Sequence, residues 1–464
     1  MKIELAKNEN IHFVGIGGIG MSGLALIMKG MGFKIQGSDI STNKNIERLK
    51  KNKIKISIGH GRKNIDKATI LVISSAIKKN NPEVQRAKIE NLPIYKRGDM
   101  LAHIVSLTQN IVVAGSHGKT TTTSLISGIF ARAKLDPTII NGGVLNSLQN
   151  SAKLGKSKWC VLESDESDGS FIKVPPTYSV VTNIDREHMD YYKSMDKLES
   201  HFLQFINKVP SFGKSFICLD DKINNKIIRK IKTKNFYTYG VNKNSNFRVK
   251  NVRQYKELSI FDIDVSLPAK KKTILKDIRI PLLGLHNIRN ASAAVAVGLT
   301  IGISKKIIKK SLSNFEGVQR RFNKIFSYRG INFFDDYAHH PTEIKELIKG
   351  VSKVYKKEKI FCVFQPHRIS RLKDLREEFA LCFEKAEAVI LCPIYKAGEK
   401  IKLGFSYLNF AKEIAKKSKV KVYMVKNQYQ LSKFVKQCIY GNKVVIGMGA
   451  GSISSWMKDL AKLI

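Results

Sequence analysis

Two glycine-rich turns that each follow a buried strand, and a regular strand–helix alternation after residue 323, predict an α/β protein. A chain of 464 residues is long enough for about three domains. We predict a Rossmann-like N-terminal domain (1–108), a central domain with a mixed sheet and a phosphate-binding loop (109–322), and a C-terminal Rossmann-like domain (323–464).

The first glycine motif, G-I-G-G-I-G, follows a predicted strand at 11–14 and precedes an apolar helical run at 21–31. This G-x-G-x-x-G pattern places a diphosphate at a helix N-terminus. An acidic residue, Asp39, follows a second strand 19 residues after Gly20, which is the spacing of an NAD site. NAD and another diphosphate ligand therefore both remain open. The candidate binding residues are Gly15, Gly17, Gly18, Ile19, Gly20, Ser38, Asp39 and, at the end of the strand 69–76, Ser75.

The second glycine motif lies between a buried strand at 111–114 and a helical run at 121–132. Its glycines allow backbone N–H groups to turn toward phosphate oxygens. Lys119 would reach the β- and γ-phosphates, and the Thr120 hydroxyl would bind Mg²⁺. The pattern is G-x-x-G-K-T, shorter than the standard loop, whose first glycine would stand where this chain has Val113. A structural glycine turn is the alternative. The candidate ATP-binding residues here are Gly115, Ser116, His117, Gly118, Lys119, Thr120 and Thr121.

Four carboxylates, Glu163, Asp165, Glu166 and Asp168, follow the predicted strand 159–163. Such a run can be a solvated loop, but its position after a buried strand and near a phosphate loop favours Mg²⁺ binding. His188 follows the next strand, 179–183, and is a candidate ligand or phosphate contact rather than a packing residue. The hydroxyl of Thr120, the four carboxylates of this run and His188 are therefore the candidate metal ligands.

A helix predicted at 291–299 is preceded by Asn287 and Asn290. Their amides can read the edge of a base, and helix capping is the equally good alternative. A basic pair, Arg320 and Arg321, ends the central section, where it can lie on the surface or reach a phosphate.

The C-terminal section carries polar clusters at consecutive strand ends, which is where ligands bind in open α/β sheets. The predicted strands are 332–335, 360–364, 388–392, 420–425 and 443–447. The clusters are D-D-Y-A-H-H-P at 335–341, Q-P-H-R at 365–368 with Arg371, Y-K-A-G-E at 395–399 and G-A-G-S at 449–452.

Composition excludes several classes of protein. The net charge of +43 comes mainly from dispersed lysines without a nucleic-acid-binding motif, so we expect no specific nucleic-acid partner and a surface that attracts anionic nucleotides. No apolar run is long enough for a membrane span, and the start, M-K-I-E-L-A-K, lacks a signal core, so we expect a cytoplasmic protein. The six scattered cysteines indicate buried, reduced thiols.

Taken together and in order, these motifs resemble the Mur ligase family over nearly the whole chain. They are H-F-V-G-I-G-G-I-G-M-S-G-L-A, G-S-H-G-K-T-T-T-T, E-S-D-E-S-D-G-S-F, V-T-N-I-D-x-E-H-M-D, H-N-x-x-N, D-D-Y-A-H-H-P-T-E-I, F-Q-P-H-R, Y-x-A-G-E and G-A-G-S-I. Each motif alone is weak evidence, but the ordered set is specific. The acidic motif resembles the alanine-adding branch of the family.

The resemblance implies a ligase of peptidoglycan synthesis that uses ATP and Mg²⁺ to join L-alanine to UDP-N-acetylmuramate through an acyl phosphate. The first domain would bind the UDP-sugar, the second ATP, and the third the amino acid. By motif, Thr120 and Glu163 would bind Mg²⁺, and His188 would hold a metal ion. Asn287 and Asn290 would face adenine, and Arg321 would face the phosphates. The residues around the reacting carboxylate and alanine would be Tyr337, His339, His367, Arg368 and Arg371.

Catalysis is assigned to Lys119, His339 and Arg368, with His339 the candidate general base. Sister ligases use a carbamylated lysine that this branch lacks, so neither Lys193 nor Lys197 receives that role. A tripeptide-recycling murein ligase and an NAD(P)-dependent oxidoreductase remain the alternative functions. The protein is expected to be a monomer or a homodimer.

Overall fold

The computed structural model describes residues 8–268, 271–402 and 404–464, and the predicted three-domain α/β fold class is confirmed. The initial M-K-I-E-L-A-K segment lies outside the described residues. The chain divides into two compact units. The first comprises 1–252, 260–281 and 287–318, and the second comprises 253–259, 282–286 and 319–464.

The N-terminal sheet has five parallel strands in the order β3-β2-β1-β4-β5. The strands are β1 (Asn10–Val14), β2 (Lys34–Asp39), β3 (Lys55–Ile58), β4 (Ile70–Ile73) and β5 (Ile94–Lys96). The helices are α1 (Ile19–Met31), α2 (Lys44–Lys51), α3 (Pro82–Ile89) and α4 (Arg97–Ser106). Since β1 is central and the neighbouring strands lie on both sides of it, the glycine turn after β1 lies where the strand order reverses.

The second sheet has ten strands in the order β15-β14-β13-β12-β11-β10-β6-β9-β7-β8. They are β6 (Gln109–Ala114), β7 (Thr138–Leu145), β8 (Asn150–Lys153), β9 (Trp159–Glu163), β10 (Tyr178–Val181), β11 (Lys214–Cys218), β12 (Phe236–Gly240), β13 (Phe247–Tyr255), β14 (Leu258–Val265) and β15 (Thr273–Ile280). The helices are α5 (Lys119–Arg132), α6 (Met189–Tyr192), α7 (Met195–Asn207), α8 (Lys222–Ile228), α9 (Leu285–Thr300) and α10 (Lys305–Ser313). The strand β6 is paired in parallel with β9 on one side and β10 on the other, so the loops after all three strands meet at one edge.

Within the first unit, α1 packs against the β7–β8 hairpin through small residues. A Cβ on Gly23 would lie 3.1 Å from the Cβ of Ala152, and one on Gly30 would lie 2.6 Å from Leu154 Cδ2. Because neither position has room for a larger side chain, the glycines allow α1 to approach the hairpin closely.

The third sheet has six strands in the order β16-β17-β21-β18-β19-β20. They are β16 (Asn323–Tyr328), β17 (Ile331–Asp336), β18 (Lys359–Phe364), β19 (Ala388–Leu391), β20 (Lys421–Met424) and β21 (Lys443–Met448). The helices are α11 (Pro341–Val354), α12 (Ile369–Asp374), α13 (Arg376–Leu381), α14 (Tyr407–Ser418), α15 (Gln428–Cys438) and α16 (Ile453–Leu463). The edge strand β16 is antiparallel to β17 and was not among the predicted strands. The other pairs are parallel, so the ends of β17, β18 and β21 meet at one edge.

No helix in the described part of the chain combines the length and the apolar character needed to cross a bilayer. Five of the cysteines are buried free thiols, as expected, whereas Cys438 is exposed, so the expectation of burial is wrong for Cys438.

Candidate active site

The glycine turn after β1 is held by the backbone of β2. The N–H groups of Gly15 and Ile16 both donate to the carbonyl of Ser38, at 2.8 and 3.0 Å. The N–H of Gly17 donates to Asp39 Oδ2 at 2.8 Å, and the Asn45 side chain donates to the Gly17 carbonyl at 2.9 Å. The structure therefore brings the predicted Gly15–Gly20 segment and Asp39 together, with Ile19 40% exposed at the start of α1.

Ser38 and Ser75 lie in opposite environments. The Ser38 side chain is fully buried and donates to Glu83 Oε2 at 2.6 Å, so its hydroxyl already has a protein partner. Ser75 is exposed in the loop after β4. Among these two serines, only Ser75 presents its hydroxyl to a ligand at the surface.

The phosphate loop connects β6 to α5, and the helix begins at Lys119, two residues earlier than predicted. Gly118 is the N-cap and has φ +82°, a left-handed conformation that favours glycine. Lys119 Nζ lies 2.5 Å from the Gly115 carbonyl and 3.1 Å from the Ser116 carbonyl. The lysine therefore folds back over its own loop, as a residue that contacts phosphates in that loop requires.

The segment after β10 supports the phosphate loop from the side. Asn183 accepts a hydrogen bond from the His117 N–H at 2.9 Å through Oδ1, and its own side-chain amide donates to the His117 carbonyl at 3.0 Å. The hydroxyl of Thr182 donates to the same carbonyl at 2.6 Å, and His117 Nε2 lies 2.9 Å from Asp185 Oδ2. These contacts fix the direction of the His117 peptide. The V-T-N-I-D motif thus positions the loop, a role that its sequence did not reveal.

The predicted metal ligands Thr120 and Glu163 are both next to a glycine pair in β7. Glu163 Oε2 accepts the N–H of Gly142 at 2.8 Å. A Cβ on Gly143 would lie 2.9 Å from Thr120 Cγ2, and a Cβ on Gly142 would lie 2.6 Å from Glu163 Oε1. The hairpin therefore approaches both side chains closely, and a larger residue at either glycine position would require the neighbouring side chain to move.

A second acidic group surrounds Lys119. Glu166 is 1% exposed, and its Oε2 lies 2.7 Å from Lys119 Nζ. His188 Nε2 lies 3.6 Å from Glu166 Oε1. Ligand atoms of Asp165, Glu166 and His188 all lie within 4.8 Å of one another, which is close enough for one metal ion. The structure therefore groups His188 with Asp165 and Glu166, whereas the prediction grouped it with Thr120 and Glu163.

Electrostatics favour a positive charge in this group. Burial raises the pKa of Glu166 well above its usual range, against the lowering effect of Lys119. Burial also opposes the charge on Lys119, but Glu166, followed by Asp165 and Glu163, raises the pKa of that ammonium above its ordinary value. Despite the short ion pair, neither carboxylate oxygen of Glu166 has a well-aligned hydrogen-bond partner among the described residues. A divalent cation would supply the missing partner, so the donor set fits Mg²⁺.

The asparagines of the H-N-x-x-N motif lie inside α9, so neither is the N-cap of that helix. Asn290 is 6% exposed, and its Oδ1 lies 2.6 Å from the position of a Cβ on Gly118. Its amide also lies 3.4 Å from Asn287 Oδ1. Asn290 of the predicted adenine-facing pair is therefore packed against the end of the phosphate loop where α5 begins, and Asn287 lies next to Asn290.

The second unit brings together the aromatic residues predicted to bind the amino acid. The His339 ring makes edge contacts with Tyr337 and His367, at centroid distances of 5.1 and 5.7 Å. Tyr395 stacks on His367 at 5.5 Å. His339 Nδ1 lies 3.0 Å from the Tyr337 carbonyl and 3.3 Å from Glu343 Oε2. Because both of these neighbours are acceptors, Nδ1 holds the proton in the neutral form of the ring, and Nε2 then has the lone pair.

Arginines surround this aromatic group. The guanidinium groups of Arg320 and Arg321 lie over the Tyr337 ring at 4.7 and 5.5 Å. Arg371 Nη1 lies 3.4 Å from His367 Nδ1. Burial, followed by the charges of His339 and the nearby arginines, lowers the pKa of His367 to about 3, so this ring is neutral at neutral pH. The cluster favours an anionic group such as a carboxylate.

Sequence reasoning missed two features of these sites. Glu166 was one of four acids in a run, and nothing in the run indicated that it alone would be buried against Lys119. Arg320, for which the sequence left a surface position or a phosphate contact open, lies over the Tyr337 ring, a contact that the sequence did not predict. Both depend on contacts between residues far apart in the chain, which a local pattern does not carry.

A lysine-bearing phosphate loop beside a buried acidic strand end, at the carboxyl edge of a parallel sheet, defines an ATP-dependent enzyme of phosphoryl transfer. Family models agree and cover most of the chain. They are the Mur ligase family catalytic domain over residues 10–109, the Mur ligase middle domain over 113–298, and the Mur ligase glutamate ligase domain over 320–451. The chain belongs to the Mur ligase family.

Individual relatives give the same result. The chain is 69% identical to the UDP-N-acetylmuramate–L-alanine ligase of Pelagibacter ubique over the full length of both proteins. It is 41% identical to the enzyme of that name from Bartonella bacilliformis, covering 97% of this chain and 95% of the relative.

Among solved structures, the UDP-N-acetylmuramate–alanine ligase of Thermotoga maritima aligns with a TM-score of 0.81 and 26% identity over 98% of both chains. A murein peptide ligase from Psychrobacter arcticus aligns with a TM-score of 0.72 over 98% of both chains. Its identity of 21% shows a shared fold alone.

Proposed function

We propose that this protein is the ATP- and Mg²⁺-dependent ligase that joins L-alanine to the lactyl carboxylate of UDP-N-acetylmuramate in peptidoglycan synthesis. The observation that carries the proposal is the 69% identity, without truncation of either chain, to an enzyme named for this reaction. The grouping of Lys119 with Glu166 and the Arg-rich aromatic cluster of the second unit support it. Because ATP and UDP-sugars are cytoplasmic metabolites, we assign the reaction to that compartment.

The first step is phosphoryl transfer. A carboxylate oxygen of the sugar nucleotide attacks the γ-phosphorus of ATP, the bond from that phosphorus to the β-bridging oxygen breaks, and ADP leaves. In this proposal Lys119, held by the Gly115 and Ser116 carbonyls, neutralises charge on the transferring group. Thr120, Glu163 and the Asp165–Glu166–His188 group are the candidate holders of Mg²⁺. When bound, Mg²⁺ would supply further charge neutralisation.

The second step forms the amide. The alanine amine attacks the acyl carbon, the carbon–oxygen bond to phosphate breaks, and the amine loses a proton. His339 is the candidate base, because its Nδ1 faces the Tyr337 carbonyl and Glu343, which leaves the lone pair on Nε2. We assign the alanine carboxylate to Arg368 and Arg371, with Tyr337 and His367 beside it, and the diphosphate of the sugar nucleotide to the Gly15–Gly20 turn.

The test is phosphate release from ATP and Mg²⁺ by the purified protein, with UDP-N-acetylmuramate present and each amino acid or peptide added in turn. We expect release that requires both the sugar nucleotide and L-alanine. Release only with the tripeptide would replace this function with that of the recycling ligase. No release in any combination would refute the proposal. Membership of the Mur ligase family argues against the alternative of an NAD(P)-dependent oxidoreductase. We expect no change in nicotinamide absorbance when the protein is incubated with NAD(P) and the sugar nucleotide.

A further inference from the structure

The loop from Tyr395 to Glu399, which we call the clamp loop, contacts the Q-P-H-R segment after β18. The backbone of Tyr395 is bonded on both sides: its N–H donates to the Pro366 carbonyl, and its carbonyl accepts the Arg368 N–H, both at 2.8 Å. Its ring stacks on His367 with an interplanar angle of 10°. Pro366 and two residues of the predicted amino-acid pocket, His367 and Arg368, thus contact one residue of this loop.

Glu399 makes the clamp loop's contact with α12. Its Oε1 accepts the Ser370 hydroxyl at 2.5 Å, and its Oε2 accepts the Ser370 N–H at 3.1 Å. The backbone N–H groups in the first turn of a helix have no partner within the helix, and a carboxylate there also interacts favourably with the helix dipole. Glu399 therefore fixes where and in which direction α12 begins.

The residue just before α12 needs such support. Arg368 has φ +68° and ψ 134°, a conformation that residues with a side chain rarely adopt. Its N–H is held by the Tyr395 carbonyl, and the next turn of backbone is held by Glu399 through Ser370. Strained backbone persists only where surrounding contacts determine it, and here both contacts come from the clamp loop.

The arginine side chains depend on this backbone. Arg368 immediately precedes α12, and Arg371 lies within its first turn, with Nη1 3.4 Å from His367 Nδ1. A shift in the start of α12 moves both guanidinium groups relative to His367. Bidentate recognition of a carboxylate by arginine is sensitive to such a shift.

We propose that Glu399 is a positioning residue for amino-acid binding, which acts through Ser370 to hold Arg368 and Arg371 in register for the carboxylate of the incoming amino acid. The inference rests on the proposed function, because it assigns the cluster of the second unit to the amino substrate. In this proposal Glu399 acts only through Ser370 and does not itself bind the substrate.

The experiment compares Glu399→Ala and Glu399→Gln with Glu413→Ala. Glu413 pairs with Arg376 between α14 and α13 of the same unit, so its removal controls for the loss of an acidic contact between elements. We expect Glu399→Ala to raise the KM for L-alanine by about tenfold or more, with kcat within about threefold and the KM values for ATP and UDP-N-acetylmuramate within about twofold. Glu399→Gln keeps an oxygen that accepts from Ser370 and should restore most of the L-alanine affinity. Glu413→Ala should lower Tm without changing the KM for L-alanine selectively.

A double-mutant cycle identifies the route. Because Glu399 acts through Ser370, adding Glu399→Ala to Ser370→Ala should raise the KM for L-alanine less than adding it to the wild type. Equal increases in all three KM values, a change in Tm alone, or equal effects in both backgrounds would overturn the inference.

Failure of the proposed function is a separate outcome. If wild-type phosphate release requires a different amino substrate, the L-alanine assignment falls, and the same KM comparison with that substrate decides the role of Glu399.

Discussion

At the scale of single residues, Lys119 carries the sharpest assignment. Its ammonium lies among two loop carbonyls and a buried carboxylate, and substitution with alanine removes the positive charge without removing the glycines of the loop. We expect Lys119→Ala to lower kcat by at least about a hundredfold while the circular dichroism spectrum is retained. Arg132→Ala, which removes an exposed charge from the other end of the same helix, is the control and should keep normal turnover. Wild-type turnover by Lys119→Ala would contradict the phosphate-loop assignment.

Glu163 offers a test of metal binding that separates charge from hydrogen bonding. Glu163→Gln keeps an acceptor for the Gly142 N–H but loses the negative charge, whereas Glu163→Ala loses both. If Glu163 holds Mg²⁺, both variants should need about tenfold or more Mg²⁺ for half-maximal phosphate release. Glu90→Gln, an exposed acid at the end of α3, should leave the Mg²⁺ titration unchanged. If only Glu163→Ala shifts the titration, the residue supports the hairpin rather than the metal.

His367 predicts a pH dependence of stability. Burial and neighbouring positive charge lower the pKa of His367 to about 3 in the folded protein. In the unfolded chain a histidine has a pKa of about 6.5. The unfolded chain therefore binds more protons below about pH 6.5, so the contribution of neutral His367 to the free energy of unfolding is present above that pH and is lost as pH falls toward 3.

The measurement is Tm between about pH 7 and pH 4 for the wild type, His367→Asn and His103→Asn. We expect the wild type to lose more Tm than His367→Asn over this range. His103, an exposed histidine on α4, provides the control, and His103→Asn should follow the wild type. Parallel curves for His367→Asn and the wild type would show that the ring is not held neutral.

At the scale of elements, α5 has one glycine at its N-cap, Gly118, and one within the helix, Gly128, in contrasting environments. Gly118 has φ +82°, and an added Cβ would meet Asn290 Oδ1 at 2.6 Å, whereas a Cβ on Gly128 would meet only Ser311 Oγ at 3.5 Å. Gly118→Ala should therefore lower the free energy of unfolding by at least about 1 kcal/mol and raise the KM for ATP, because both the backbone and Asn290 must shift. Gly128→Ala should raise the free energy of unfolding by about 0.5–1 kcal/mol through helix propensity, with no change in the KM for ATP.

Chemical denaturation and ATP titrations of the two variants check this pair of expectations. Equal stability of Gly118→Ala and the wild type would mean that the N-terminal end of α5 adapts freely. In that case the conformation of Gly118 would not be what shapes the phosphate loop.

At the scale of the whole molecule, the net charge of +43 bears on substrate encounter. Long-range attraction acts on the anionic nucleotides and hardly on zwitterionic alanine. Raising KCl from about 20 mM to about 200 mM should therefore raise the KM values for ATP and UDP-N-acetylmuramate more than the KM for L-alanine. Steady-state kinetics at fixed Mg²⁺ provide the measurement. If all three KM values depended equally on salt, the net positive charge would not contribute to the capture of the nucleotides.

Local patterns in the sequence were sufficient to predict several elements and motifs. Glycine-rich runs after apolar strands located both turns, because backbone conformation and helix N-termini depend on neighbouring residues. The strand–helix alternation after residue 323 identified the parallel part of the third sheet. The ordered motifs identified the Mur ligase family, which the family models and relatives confirm. The roles of the individual site residues stay predictions.

Contacts between segments that are distant in the sequence could not be predicted and became visible only in the folded structure. The strand end G-S-D suggested two ligand-facing side chains, but Ser38 is buried against Glu83, which lies 45 residues further along the chain. The sequence of the acidic run did not distinguish Glu166 from its neighbours, whereas the structure shows that Glu166 is the one that pairs with Lys119. A role for Glu399 could be proposed only because the structure shows the Ser370 hydroxyl donating a hydrogen bond to its carboxylate. In each case the deciding energy is burial, or a hydrogen bond between groups remote in sequence, and a local pattern contains neither.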